Sequence, residues 1–178
     1  MRPKIAYKYY MLGMLTIVAT LNYVDRNALS LLLEPIKHDL QLTDSQLGFL
    51  TGFAFAVFYA LAGIPIARWA DRGNRNTIVT LTTGLWSAML VLCGFVGNYI
   101  QLLLVRVGVG VGEAGCLPPA QSLIADYFDR AERPRAMAIY WLCSPIAVII
   151  GFLGAGWLAE LVGWRMTFIL IGVPGILL

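Results

Sequence analysis

Charge is scarce in this chain, and the scarcity excludes more than any motif adds. Only 13% of its 178 residues are Asp, Glu, Lys or Arg, about half the share that a water-exposed domain carries. Histidine occurs once, as His38 in a polar connection, and reads as a surface residue. No Ser/His/Asp arrangement and no metal-ligand cluster is visible. The three cysteines, Cys93, Cys116 and Cys143, stand singly in apolar runs; without ligand or disulfide spacing they read as small buried hydrophobes. The net charge of +3 comes from basic residues placed between apolar runs rather than along one soluble face, which argues against nucleic acid. Gly110-Val-Gly112-Glu-Ala-Gly115 matches the dinucleotide fingerprint, but it lies within an apolar run instead of between a strand and a helix. The expectation is no enzyme, no catalytic residue, no metal and no cofactor.

What the chain has in abundance is apolar length. Hydrophobic residues make up 59% and the mean hydropathy is +0.74. Apolar runs predict an all-α membrane protein with helices at about 9–33, 45–67, 77–97, 99–125, 136–159 and 166–178. Arg2 and Lys4 before Met11–Leu21 imitate a signal peptide, yet no small-x-small cleavage site follows and the run is read as a retained first span. Pro35 is expected to end that span, and Thr43 with Gln46 forms a capping box for the second. The sixth, Met166–Leu178, covers only about 20 Å of a hydrocarbon core of about 30 Å. It is read as truncated, with a further bundle missing. Nine basic residues (Arg2, Lys4, Lys8, Arg68, Arg72, Arg75, Arg130, Arg133, Arg135) fall on one side against Lys37 and Arg165 on the other. That bias predicts a cytoplasmic N-terminus, and the economy of the loops points to a bacterial inner (plasma) membrane. Two small-residue stripes, Gly52-Ala56-Ala60-Gly63 and Gly108-Gly112, read as helix-packing faces.

Four charges break the apolar pattern: Asp25 and Arg26 in the first span, Arg106 and Glu113 in the fourth. An ionised side chain at bilayer depth costs about 2.5–3.5 kcal/mol on insertion scales, so each marks a functional site by default. Arg106 and Glu113 share a helix face about 10 Å apart, too far to pair with each other, and are expected to bracket a cavity. Asp25 and Arg26 point about 100° apart and need partners elsewhere; the plainer alternative is that all four neutralise each other across the first and fourth spans as a static network. Burial raises a carboxyl pKa and a nearby guanidinium lowers it, which fits Asp25 and Glu113 as proton-coupling groups. Arg26 and Arg106 then suit an anionic group.

The residues also carry a resemblance. Ala67-Arg-Trp-Ala-Asp71-Arg72-Gly-Asn74-Arg75 resembles the loop signature of the major facilitator superfamily, with Ala67 and Asn74 where the family has glycine and Asn76 where it has a basic residue. Arg106-x-x-x-Gly110-x-Gly112-Glu113-Ala114 resembles its fourth-helix motif, and Gly163-Trp164-Arg165 its fifth-loop marker. Asn22-Tyr23-Val24-Asp25-Arg26, Gly112-Glu113-Ala114-Gly115 and Ala125-Asp126-Tyr-Phe128 are similar to the spinster-like branch. The organic anion:cation symporter branch shares both charge pairs. The resemblance implies the N-terminal six-helix half of a proton-coupled secondary transporter, symporter or antiporter, with a central site. It implies coupling at Asp25 and Glu113, substrate and charge balance at Arg26, Arg106 and Asn22, and a gating loop of Asp71, Arg72 and Arg75. The implied partners are protons, an organic anion or lipid-like molecule, the bilayer and the missing C-terminal bundle. A half-length, non-transporting membrane scaffold is the competing reading.

Overall fold

The computed structural model of the protein describes residues 5–178, apart from the side chains of Ile5 and Asp71; Arg2 and Lys4 lie outside the described residues. Among those residues the chain is helical, with no strand. The first helix, α1 (Ile5–Leu40), is one rod of 36 residues, about 54 Å long at 1.5 Å per residue. Pro35 does not end it, which corrects the expectation from sequence. A proline deprives only one carbonyl, here that of Leu31, of its donor. Leu31 and Pro35 lie on the exposed side, while Leu32 and Ile36 are wholly buried and hold this turn to the bundle. The stop comes at Gln41, whose backbone is left-handed (φ 53°). That turn lets the Leu42 N–H donate to the Lys37 carbonyl at 3.0 Å, a Schellman closure.

The second span joins α2 (Asp44–Gly48), a π-helical turn (Phe49–Ala54) and α3 (Phe55–Arg72). Thr43 and Gln46 close its capping box. Helix α4 (Arg75–Cys93) starts at Asn74, whose side chain accepts from the N–H groups of Asn76 and Thr77. The fourth span is broken. Helix α5 (Tyr99–Glu113) ends in a turn over 114–116, and α6 (Leu117–Tyr127) begins anew with proline in its first turn. Pro118 and Pro119 have no N–H for the carbonyls of Ala114 and Gly115, so the ladder cannot continue through them. Pro145 acts likewise on the Trp141 carbonyl, where α7 (Arg133–Trp141) gives way to α8 (Cys143–Ile149). A second π-helical turn, Ile150–Gly154, leads into α9 (Ala155–Leu177). Gly163 (φ 78°) turns the chain inside α9, a backbone only glycine adopts cheaply, and separates the fifth run from the sixth.

Asp44–Ala70, Arg75–Cys93, Tyr99–Tyr127 and the 45-residue Arg133–Leu177 are long and apolar enough to cross a membrane. The last suffices for two passes. Helix α1 is not among them, because Asn22, Asp25 and Arg26 sit in its middle. In lipid, apolar burial alone gives helices little reason to associate, so close backbone approach carries the packing. Trp86, wholly buried on α4, supplies it: a Cβ on Gly112 would stand 2.6 Å from the Trp86 backbone nitrogen, and one on Gly108 2.8 Å from the Met89 sulfur. The second span behaves differently. A Cβ on Gly52 or Gly63 would meet nothing within 4 Å, and Ala56 and Ala60 are exposed. Within this chain, then, close helix packing is seen at Gly108 and Gly112 and not at Gly52 and Gly63.

Candidate functional site

On α1 the buried face runs through Leu15, Ala19, Asn22, Asp25, Leu29, Leu32 and Ile36, the three-and-four spacing of a helix stripe. Asn22 and Asp25 therefore occupy places where leucine would serve packing better. Helix α5 repeats the arrangement with Leu102, Arg106, Val109 and Glu113. The two stripes face each other, and the four charges pair crosswise. Arg106 donates from Nη1 to both Asp25 oxygens at 3.1 and 3.0 Å. Arg26 donates from Nε to Glu113 Oε2 at 2.7 Å, with its Nη2 2.6 Å from the same oxygen. The partners that Asp25 and Arg26 needed are thus the two residues expected to bracket a cavity on their own.

The pairs differ in setting. Asp25 and Arg106 are sealed, with side-chain exposures of 0% and 3%. Cys93 packs beside Arg106, and the Phe55 ring centroid lies 5.9 Å from the guanidinium. Glu113 is equally buried, but the Arg26 side chain is 35% exposed. Rings of Tyr23, Phe55 and Tyr59 surround the Arg26 guanidinium at 5.6, 5.2 and 5.1 Å, where cation–π attraction offsets part of its desolvation. Sequence reading passed over Phe55 and Tyr59, because an aromatic in an apolar run carries no signal until its neighbours are known.

Three buried polar atoms of this cluster have no protein partner: Asn22 Nδ2, Arg106 Nε and Glu113 Oε1. A crevice of about 10 Å³ is lined by Asn22 and Glu113, together with Tyr23, Arg26, Tyr59 and Tyr140 among others. That is room for about one water, far short of the shared cavity expected. Roomier grooves lie elsewhere. One of about 330 Å³ runs between Tyr10, Met14, Val79, Thr83 and Ile176, and none of the four charges lines it.

At the end of the bundle that carries most of the loop arginines, Arg75 hydrogen-bonds the Asp126 carboxylate. Both border a groove of about 380 Å³ with Gly73, Asn74 and Tyr127. Arg72 is exposed, and the Asp71 side chain lies outside the described residues. Asn74, which departs from the family's glycine, has a structural reason here: it is the cap of α4. Lys8 meets Glu132 at 2.7 Å, tying α1 to the connection before α7; the lysine partner holds the Glu132 carboxyl below its ordinary range. At the opposite end Arg165 hydrogen-bonds Asp39, donates to the Val96 carbonyl at 3.2 Å and stacks on Trp164 at 4.2 Å. One side chain there joins the ends of α1, α4 and the sixth run.

Comparison with known proteins fixes the family. The model of the Major Facilitator Superfamily matches residues 15–178. The chain belongs to the major facilitator superfamily. An MFS-type efflux pump of Mycolicibacterium smegmatis is 43% identical over 93% of this chain and 39% of its own length. A probable L-galactonate transporter of Escherichia coli K12 is 34% identical over 93% of the chain and 36% of its length. Crystal structures of a bacterial homologue of the human lysosomal transporter Spinster, inward-facing and either unoccupied or occupied, superpose with a TM-score of 0.87 at 41% identity. They cover 98% of this chain and 42–43% of theirs. Within the superfamily the chain is spinster-like in fold and sequence, and it spans about two fifths of the length of these relatives. It is an all-helical membrane protein of the superfamily fold.

Proposed function

We propose that this chain is the N-terminal bundle of a proton-coupled secondary transporter that moves an amphipathic or anionic small organic molecule by alternating access. The observation that carries the reading is the crosswise pairing of Asp25 with Arg106 and Arg26 with Glu113. A bundle needing only anchorage would place leucine on those stripes, since each charge at depth costs free energy. Two acid–base pairs sharing one seam can instead exchange partners. Protonation of Glu113 or Asp25 releases an arginine, and a released arginine can hold a substrate anion. Glu113 is the readier acceptor, because only Oε2 is engaged and Oε1 remains open. Arg26, half open among aromatic rings, is suited to orient an anionic group attached to an apolar body.

Relatives of 43% and 34% identity are named as an efflux pump and a probable sugar-acid transporter, which supports export or import of organic solutes without choosing between them. The basic bias of the loops supports a cytoplasmic N-terminus, and the proposed membrane is the plasma membrane. Arg75 with Asp126, and Asp71 and Arg72 beside them, form the proposed gate on that side. The second reading is an organic anion:cation symporter, which keeps the same four charges; a half-length scaffold is the third. Reading the gene past the Leu178 codon separates the last from the others: six further apolar spans favour a transporter, and a stop codon there favours the scaffold. The mechanism is tested with the native gene product in proteoliposomes under an imposed proton gradient. Glu113→Gln is expected to abolish gradient-driven flux while leaving the fold intact, and Asp25→Asn to abolish it at a cost in stability, since Arg106 is left buried without its partner; flux that persists in the double variant rejects the coupling role.

A further inference from the structure

We propose that one water molecule is held between Asn22 and Glu113, and that it hands the proton to the Glu113 carboxylate. The inference rests on the coupling role given to Glu113 above. The crevice between α1, α3, α5 and α7 has two unpartnered polar atoms among its lining residues. One is Asn22 Nδ2, a donor, on a residue 6% exposed; the other is Glu113 Oε1, an acceptor, on a residue 1% exposed. A donor and an acceptor left over on one crevice need a ligand that accepts from the first and donates to the second. Water does both. A cation would face the Nδ2–H group and the Arg26 guanidinium, and an anion would face Oε1. The available space, about 10 Å³, admits about one water and little else.

The charged and titratable groups around Glu113 leave this role free. Arg26 and Tyr23 approach from α1, Tyr59 from α3, Tyr140 from α7, and Cys116 from the turn after α5, with Arg106 and Asp25 beyond. None of them bonds Oε1. A proton arriving in the crevice converts the water to hydronium. One hydronium O–H bond then breaks as the bond to Oε1 forms, leaving water and a neutral carboxylic acid whose hold on Arg26 through Oε2 is weakened. Asn22 touches the water and not the proton's destination, so it is a positioning residue. Its amide fixes where the water sits; a hydroxyl could do the same.

Infrared difference spectra of the whole chain in lipid nanodiscs, taken between acidic and neutral pH, test this. The native chain is expected to show a carboxyl C=O band that Glu113→Gln abolishes, together with a water O–H band that moves in H2(18)O. Asn22→Leu should remove the water band and slow deuterium exchange of the Glu113 carboxyl about tenfold, the effect of one lost hydrogen bond to a charged group. Asn22→Ser should keep both. An isotope-insensitive native spectrum overturns the proposal, whether or not the leucine variant folds. So does an Asn22→Leu chain that retains the water band and exchanges at the native rate. If Glu113→Gln leaves every pH-dependent carboxyl band in place, the coupling role fails and the bound water falls with it.

Discussion

The two ion pairs across α1 and α5 use the same chemistry in opposite order, and they are not equivalent. In one, α1 supplies the carboxylate and α5 the guanidinium, and both are sealed. In the other, α1 supplies the guanidinium, which is 35% exposed, and α5 the carboxylate, which keeps one oxygen free. A sealed pair is costly to break from either side, because the partner left behind stays charged in a dry place. A pair with an open member can trade its partner for water, a proton or a substrate anion. On the proposed mechanism the difference gives them unequal parts: Asp25–Arg106 would exchange partners only at a high cost, and Arg26–Glu113 is where the seam would change first.

The largest effect is expected at the sealed pair. Arg106→Met should leave Asp25 buried without compensation and cost about 3–5 kcal/mol, read as a fall in unfolding midpoint of the detergent-solubilised chain. Adding Asp25→Asn to Arg106→Met should restore most of that loss, since the uncompensated charge is gone. A single variant that unfolds like the native chain would mean that solvent reaches Asp25 and that the two pairs are alike after all.

A smaller effect belongs to the open pair. Arg26→Met removes the partner of Glu113 but leaves Oε1 free to take a proton, so the expected cost is about 1–3 kcal/mol. The sign with pH follows from the residue left behind: an unpaired carboxylate is penalised and a carboxylic acid is not. The destabilisation should therefore shrink as pH is lowered and grow as it is raised. A cost equal to that of Arg106→Met at every pH would break the distinction.

Much of this was legible in the sequence, and the parts that were not share a cause. The superfamily, the all-helical membrane fold, the Thr43–Gln46 cap and the four intramembrane charges are properties of type and spacing along one helix. The sequence admits neutralisation across the first and fourth spans but not which charge meets which, because that depends on how α1 and α5 are set against each other, which no single-helix periodicity encodes. The glycine stripes make the same point. Gly108-Gly112 and Gly52-Ala56-Ala60-Gly63 have the same spacing, yet the first seats Trp86 and Met89 while a Cβ on Gly52 or Gly63 would meet nothing. Pro35 misled because proline's penalty depends on which side of the helix the orphaned carbonyl faces. Asn74 looked like a departure from a family glycine, and its capping role becomes visible only once α4 is seen to begin at Arg75.

The smallest effect, and a control for the other two, is expected at Lys8–Glu132, an ion pair whose carboxylate lies outside the spans and is 43% exposed. The lysine holds the Glu132 carboxyl below its ordinary range. A carboxylate depressed in this way contributes stability that is present above the unfolded carboxyl range and is lost as pH falls through the folded one. Acidification should loosen the tie between α1 and the connection before α7 without touching the buried seam. Glu132→Gln should remove this acid-range dependence and change little near neutrality, because exposed pairs are screened and contribute weakly. Raising salt should mimic Glu132→Gln while leaving the cost of Arg106→Met unchanged, since screening does not reach a sealed pair. Salt-sensitive destabilisation at Arg106 would place Asp25 in contact with bulk water, and the ranking of the three pairs by depth would collapse.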